Sequence, residues 1–546
     1  MTKTPHRRPP TTAAPLRRDF LRLGLGGAAL LVGCGDDGSA GDATATSSTG
    51  DASSSSTSSA STSAAESTGP TGTAADPTGD PTTSTTSSTT SSTTSSSSSG
   101  STSDATTTDG TTGGVDECDD GGQAIDFDPD LIPLDELAFP TAIMAGEMKP
   151  TSAMIACVIA DAAPKTLRIW RPGDAPGQAL LVHESLVAPT ADGFSKTAVD
   201  GLCPGTWYRY ALFAGEPGAF TGRSILGEFR TAIADDALEP LTFALAACNG
   251  DSFDWPSMSV TADEYYDAFL HLGDMAYNDG AATLPEFRAS WRKYLGAEGY
   301  KLAFARAGLY ATWDDHEIDD NSNFDRETMD PAELERRQNA MDSYFEVVPI
   351  DAQGPKYRLW RSFRWGLTAE IIVLDCRYER RPSLGRYISP EQMAFLQERL
   401  LESPCHFKVV MNSVPITNMP LPWDVAANDR WEGYPNQRDQ LLAFIDEHDI
   451  KNVWFVSGDF HVCFVSRLEP SGSALSARTR EIAVTSGNEN PIPEFLTLLD
   501  PPQFAYGVHK ARGALITLDP EADAVHVRFI DPESGVDDYS ASLTQA

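Results

Sequence analysis

Six apolar runs in this sequence finish in side chains able to hold a metal ion: Leu241 to Cys248, Ala268 to Asp274, Leu309 to Asp315 and His316, Ile371 to Asp375, Phe407 to Asn412, and Asn452 to Asp459. One strand ending in Asp means little, because Asp is a common turn residue. Repetition changes that: in a mostly parallel sheet the carboxyl ends share one edge, where ligands bind, so these side chains can converge on a point. Carboxylate and amide oxygens suit hard divalent cations, whereas thiolate, phenolate and imidazole suit a more strongly polarising transition metal. The mixture predicts at least two unlike ions, with Asp274 as the carboxylate between them. Such a pair polarises a phosphoryl group and makes hydroxide from a bound water at ordinary pH.

Three local motifs sharpen the pattern. Gly273, Asp274 and Tyr277 put a phenol three residues after a carboxylate, with a glycine that lets the backbone turn closely beneath the ions. Trp313, Asp314, Asp315, His316 and Glu317 offer a ligand, Asp315, beside an imidazole able to give a proton or hydrogen bond to a leaving oxygen. Gly458, Asp459, Phe460 and His461 supply two further ligands from alternate positions. Arg377 has two readings, a clamp on substrate phosphate through paired N–H groups or a structural ion pair with Asp375. Trp423, Trp431 and Tyr434 lie in a loop, where they either wall a substrate pocket or pack the loop. His271 reads as a core residue behind the metal ligands.

The elements that must position these residues follow from texture. From Leu241 onward, apolar strands alternate with helical stretches such as Glu286 to Leu295, Glu333 to Phe345, Pro390 to Leu401 and Asn436 to His448. That alternation predicts a layered α/β domain with a mostly parallel sheet over residues 238–546. Residues 137–233 hold short strands separated by Pro and Gly, including Ser152 to Ala160, Thr166 to Trp170 and Thr206 to Phe213, which predict a small β-sandwich. Leu202, Cys203, Pro204, Gly205, Thr206, Trp207 and Tyr208 resemble a turn of fibronectin type III-like domains. Cys157 and Cys203 are expected to be neighbours there, bridged or as buried thiols. Cys376, Cys405 and Cys463 are expected to be buried thiols.

Residues 35–116 are almost wholly Ser, Thr, Gly, Ala and Asp, a composition that cannot bury a core and predicts a disordered stalk. Residues 1–34 have the build of an export signal, basic and then apolar. Arg17 to Arg22 resemble the twin-arginine signal, with Leu16 where Ser or Thr is usual, and imply the twin-arginine export machinery as a partner. Leu31, Val32, Gly33 and Cys34 resemble a bacterial lipobox, which implies membrane attachment through a lipidated Cys34 in the cell envelope; the other reading is an ordinary cleaved signal. Lys plus Arg number 41 against 78 Asp plus Glu, for a formal charge of −37, and no basic cluster lies in the body of the chain. This argues against a nucleic-acid or anionic-membrane binder, and a phosphate-bearing ligand would need metal cations to meet it.

Taken in order, the motifs resemble blocks of the calcineurin-like metallophosphoesterases, whose usual forms are GDxxD, GNHE and GHxH. Cys248 stands where an Asp-x-His block is usual, Tyr277 replaces Asp, Asp315 replaces Asn, and Asp459 replaces His. Those departures resemble the alkaline phosphatase D (PhoD-like) branch, as do Trp365 and Gly366, the segment Leu374 to Tyr378, and Asp429 to Tyr434. The resemblance implies an αββα metallophosphoesterase sandwich behind the fibronectin III-like domain. It implies Fe(3+) held by Cys248, Asp274, Tyr277 and His461, and Ca(2+) near Asp274, Asp315 and Asp459. Asn412, near the place of a family histidine, is a further candidate ligand. The implied activity is extracytoplasmic hydrolysis of phosphodiesters or phosphomonoesters by a metal-bound hydroxide, with His316 assisting the leaving group. Two other classes stay open: an iron redox enzyme, or a surface binding protein whose enzyme domain is retired. Retention of Asp274, Asp315, His316, Asp459 and His461 argues against the latter.

Overall fold

The computed structural model describes residues 118–320, 325–351, 357–419, 428–470, 479–490, 493–498 and 502–545. The export signal, Cys34, the Ser/Thr-rich stretch and Trp423 lie outside the described residues.

Two large sheets pack face to face. One runs in the order Val536–Leu543, Ala524–Asp531, Gly513–Asp519, Leu241–Ala246, Ala268–His271, Gly308–Ala311, Met144–Lys149, Ser152–Val158 and Phe194–Asp200. The other runs Arg361–Trp365, Ala369–Val373, Phe407–Met411, Val453–Ser457, Arg480–Ala483, Cys463–Arg467 and Phe504–Val508. In the first sheet, Leu241–Ala246, Ala268–His271 and Gly308–Ala311 are parallel neighbours. In the second, the four strands from Ala369–Val373 to Arg480–Ala483 are parallel. Their side chains alternate as a period of two demands. Phe243, Leu245, Leu270, Ile371, Val373, Val409, Met411 and Val456 fill the space between the sheets. Ala244, Ala246, Phe269 and Leu309 face outward onto Trp291, Phe304 and Tyr344 of the helices Leu284–Leu295, Glu298–Arg306 and Pro331–Val347. On the opposite face, Ile372, Val410 and Phe455 meet Leu396 and Leu441 of Pro390–Glu402 and Pro435–Glu447. The result is the expected order of helix, sheet, sheet and helix. Pro331 opens its helix at a position where no N–H is needed, and the Asp330 carboxylate accepts from the N–H groups of Ala332 and Glu333 at 2.8 and 3.0 Å.

The strands of residues 137–233 divide between two sheets. Lys165–Pro172, Gln178–Val187, Trp207–Glu216, Ala219–Arg223 and Gly227–Arg230 form a separate antiparallel sheet with Gln123–Asp126. Met144–Lys149, Ser152–Val158 and Phe194–Asp200 instead extend the first large sheet through the pairing of Gly146 with Leu309. The Tyr310 hydroxyl donates to the Met148 carbonyl at 2.5 Å across that seam. One continuous core therefore runs from Ile155 and Leu167 to Leu245 and Val456.

The cysteine expectation needs correction. Cys203 is bridged to Cys118, with 85 residues of separation, while Cys157 is a buried free thiol 2.8 Å from the Ser195 hydroxyl. Cys376, Cys405 and Cys463 are buried free thiols, as expected. The bridge fastens a segment also held by Asp120, which pairs with Arg171 at 2.7 Å and accepts from the Tyr208 hydroxyl at 2.9 Å. Closing so long a loop restricts the unfolded chain, so Cys118→Ser is expected to cost ~2–5 kcal/mol in chemical denaturation. Equal midpoints for the oxidised wild type and the variant would contradict that expectation.

Candidate metal centre

Every parallel strand delivers its carboxyl end to one edge of the two sheets, and the loops that leave this edge carry the candidate ligands. The geometry is demanding. Cys248, Asp274, Asp459 and His461 have φ of 52°, 56°, 62° and 56°, in the left-handed region that β-carbon crowding disfavours. Each such residue costs on the order of 1–3 kcal/mol, and such residues gather at functional sites. Gly273, with φ of 114°, permits the close approach of two of the loops. A β-carbon there would lie 2.6 Å from the Asp314 Cβ and 2.9 Å from its backbone nitrogen.

The Cys248 thiol, an Asp274 oxygen and a His461 nitrogen lie within 4.8 Å of one another, and so do ligand atoms of Asp274, Asp315 and His316. Asp274 is common to both groups, the place expected for a shared carboxylate. The Tyr277 hydroxyl lies 3.5 Å from Asp274 Oδ2 and accepts from Asn488 Nδ2 at 2.8 Å. Burial, with the neighbouring carboxylates, pushes the Cys248 thiol, the Tyr277 phenol and the Asp274 carboxyl well above their ordinary ranges. Burial also moves Asp459 upward, with Asp314 and Asp429 adding to it. Crowded buried donors of this kind call for cations to compensate them. Burial and then His316 hold His461 down to about 4, so its imidazole is neutral, the form that binds a metal ion. The set fits two unlike ions: sulfur, phenol and imidazole on one side of Asp274, carboxylates on the other.

His316 packs against Tyr277 with ring centroids 3.9 Å apart and the planes tilted by 30°, and its Nδ1 meets Asp279 Oδ2 at 2.8 Å. This fixes the ring and leaves Nε2 3.6 Å from Asp320. Burial opposes its charge, but Asp315, Asp274 and Asp279 outweigh that and raise it to about 11.

Two expectations change. Asn412 is fully buried, and its Oδ1 accepts from the Cys376 thiol at 2.8 Å and from Trp431 Nε1 at 3.0 Å. With both lone pairs engaged, it serves the core and not the ligand set. Arg377, 0% exposed, is presented neither to a phosphate nor to the Asp375 carboxylate in an ion pair. Its side chain meets Asp314, Asp315, Asp429 and Asp459, while Asp375 Oδ1 accepts from the backbone N–H of Arg377 at 3.0 Å. Trp431 and Tyr434 are buried against Tyr387, so of their two readings the structure has loop packing.

Several contributors escaped the sequence reading. The Glu317 carboxylate, fully buried, accepts from the backbone N–H groups of Asp274, Met275 and Asp314 at 3.1, 2.6 and 2.8 Å, tying two ligand loops together. Behind Cys248, Asn249 Oδ1 meets His271 Nε2 at 2.9 Å and accepts from Tyr300 at 3.0 Å, which places His271 where it was expected. Glu317 stood inside a motif already singled out, whereas Asn488 carried no signal.

Known proteins share this fold. Residues 243–513 match the family described as PhoD-like phosphatase. A curated relative, alkaline phosphatase D of Bacillus subtilis (strain 168), is 27% identical over 343 residues, 53% of this chain, and the match spans 57% of that relative's length. Among solved structures, one titled as PhoD has a TM-score of 0.63 at 21% identity, over 75% of this chain and 89% of its own. The purple acid phosphatase PPD1 from yellow lupin seeds has a TM-score of 0.54 at 13% identity, over 74% of this chain and 75% of its own.

Proposed function

We propose that the PhoD-like phosphatase domain formed by residues 243–513 hydrolyses phosphate esters, diesters or monoesters, in a metal-dependent reaction outside the cytoplasm. The observation that carries this reading is the place of Asp274 in two ligand groups at once. Cys248, Tyr277 and His461 would hold Fe(3+) together with Asp274, and Asp315 and Asp459 would hold Ca(2+) on its other side. When bound, such a pair draws charge from a phosphoryl group and lowers the pKa of a water near it. The chain supplies the rest. Asp279 and Tyr277 orient His316, whose Nε2, 3.6 Å from Asp320, would protonate a leaving oxygen. Asn488 holds the Tyr277 hydroxyl, and Glu317 fixes the backbone from which Asp274 projects.

The same proposal extends to the N-terminal segment: twin-arginine export, attachment through a lipidated Cys34, residues 35–116 as a stalk, and residues 137–233 as a fibronectin III-like module. The Cys118 to Cys203 bridge supports an oxidising destination. Folding before export would let Cys248 acquire its metal while reduced.

The test is turnover of an aryl phosphodiester and the matching monoester by the purified chain, before and after chelation. Chelator-sensitive hydrolysis supports the reading and ranks the two ester classes; inactivity in protein that carries its metals refutes it. His316→Ala is expected to keep its metal content while turnover falls ~10²–10⁴-fold. Unchanged turnover would remove His316 from the mechanism.

A further inference from the structure

A third acidic group, Asp314, Asp315 and Asp459, also has oxygens within 4.8 Å of one another. Its content is visible: Arg377 reaches every member. Nε and Nη2 donate to Asp314 at 2.6 and 3.0 Å, and Nη2 lies 3.4 Å from Asp315 and 2.5 Å from Asp459. Nη1 and Nη2 also donate to Asp429 at 2.6 and 3.3 Å. Arg380 shares the same Asp429 oxygen at 2.6 Å. The loop that carries Arg377 is pinned by Asp375, which accepts from the backbone N–H groups of Arg377 and Tyr378 at 3.0 and 2.7 Å. A planar guanidinium with five donors is matched to such a ring of carboxylates in a way that an ammonium is not.

We propose that Arg377 is the resident cation of this third group and that Asp429 draws it back from Asp315 and Asp459, so that the two together set how tightly those carboxylates take a divalent ion. Both are positioning residues. The inference rests on the reading above that Asp274, Asp315 and Asp459 hold such an ion. Its physical content is a competition. The oxygens that Arg377 touches on Asp315 and Asp459 belong to carboxylates offered to the metal, and a fixed positive charge beside a cation site weakens that site. Asp429 and Arg380 share an ion-pair network with Arg377, which keeps the guanidinium from collapsing wholly onto the ligands.

The competition fixes the signs of the mutant effects. Removing the charge with Arg377→Met is expected to tighten calcium binding ~10-fold, because the ligand carboxylates lose their competing partner. Removing the counter-pull with Asp429→Asn is expected to loosen it several-fold. In the double variant the Asp429→Asn effect should largely vanish, since Asp429 acts through Arg377. A merely structural arginine predicts the reverse for the first variant, weaker binding from disordered ligands.

The experiment is calorimetric titration of calcium into the chelator-stripped full chain for wild type, both single variants and the double variant. Tightening by Arg377→Met, loosening by Asp429→Asn and strong coupling between them support the proposal. Looser binding in Arg377→Met, or additive effects in the cycle, overturns it. If Arg377→Met does not fold, Asp429→Asn alone decides, and unchanged or tighter calcium binding overturns the proposal. Wild type that takes up no calcium defeats this inference together with the calcium assignment. Intact calcium binding without ester hydrolysis defeats the proposed function alone.

Discussion

Asp274→Ala is expected to abolish metal uptake and turnover together, with a fall of at least ~10³-fold in kcat/KM, equivalent to ~4 kcal/mol of lost transition-state stabilisation. The size follows from position: Asp274 belongs to both ligand groups, so its removal takes an oxygen from each. Asp274→Asn separates charge from shape. Asn tolerates left-handed backbone better than most residues, so it should keep the φ of 56° while presenting a neutral oxygen. Stability gives a second readout. The wild-type carboxyl is buried beside Asp314, Asp315 and Glu317, so stripped of metal its ionisation is disfavoured and its charge brings no stability. The chelated Asp274→Asn protein should therefore melt no lower than chelated wild type, while the rise in Tm on adding metal should be lost. A variant that keeps its metal-induced rise in Tm would show that Asp274 is not the shared ligand.

Glu317→Ala is expected to be the most destabilising single change in the centre that leaves every candidate ligand in place. Its carboxylate is the partner of three backbone N–H groups, those of Asp274, Met275 and Asp314. Alanine would leave these donors buried and unpaired at ~1–3 kcal/mol each, or ~3–6 kcal/mol allowing for some relaxation. That is a large share of the ~5–15 kcal/mol that holds a typical domain folded. Because the donors belong to two ligand loops, metal affinity should fall with stability even though the first-named ligands are untouched. Glu317→Gln keeps an acceptor and the volume but turns an N–H toward an N–H, so it should fall between wild type and Glu317→Ala. Denaturation midpoints and metal content of the two variants check this; an Ala variant within ~0.5 kcal/mol of wild type would show that the loops hold their shape without it.

The amino-acid order alone specifies the layered α/β core and most of the candidate donors. Both are written locally: an apolar run of strand length specifies a buried strand, and the residues just past its end are placed on the sheet edge by chain continuity alone. Cys248, Asp274, Asp315, Asp459 and His461 were legible for that reason, and so were the helices around Pro331 and Pro390, each opened by proline and a capping side chain. What these residues touch is set by contacts between distant segments. The bridge from Cys203 to Cys118, the contact from Asn488 to Tyr277 across 211 residues, and the pairing of Gly146 with Leu309 join segments with no common period. The same holds for Arg377 and Asn412. Their types suited a phosphate clamp and a metal ligand, but a guanidinium needs its carboxylates and an amide oxygen has two lone pairs. Loops distant in sequence had already filled those needs with Asp314, Asp429 and Asp459 for the one, and Cys376 and Trp431 for the other.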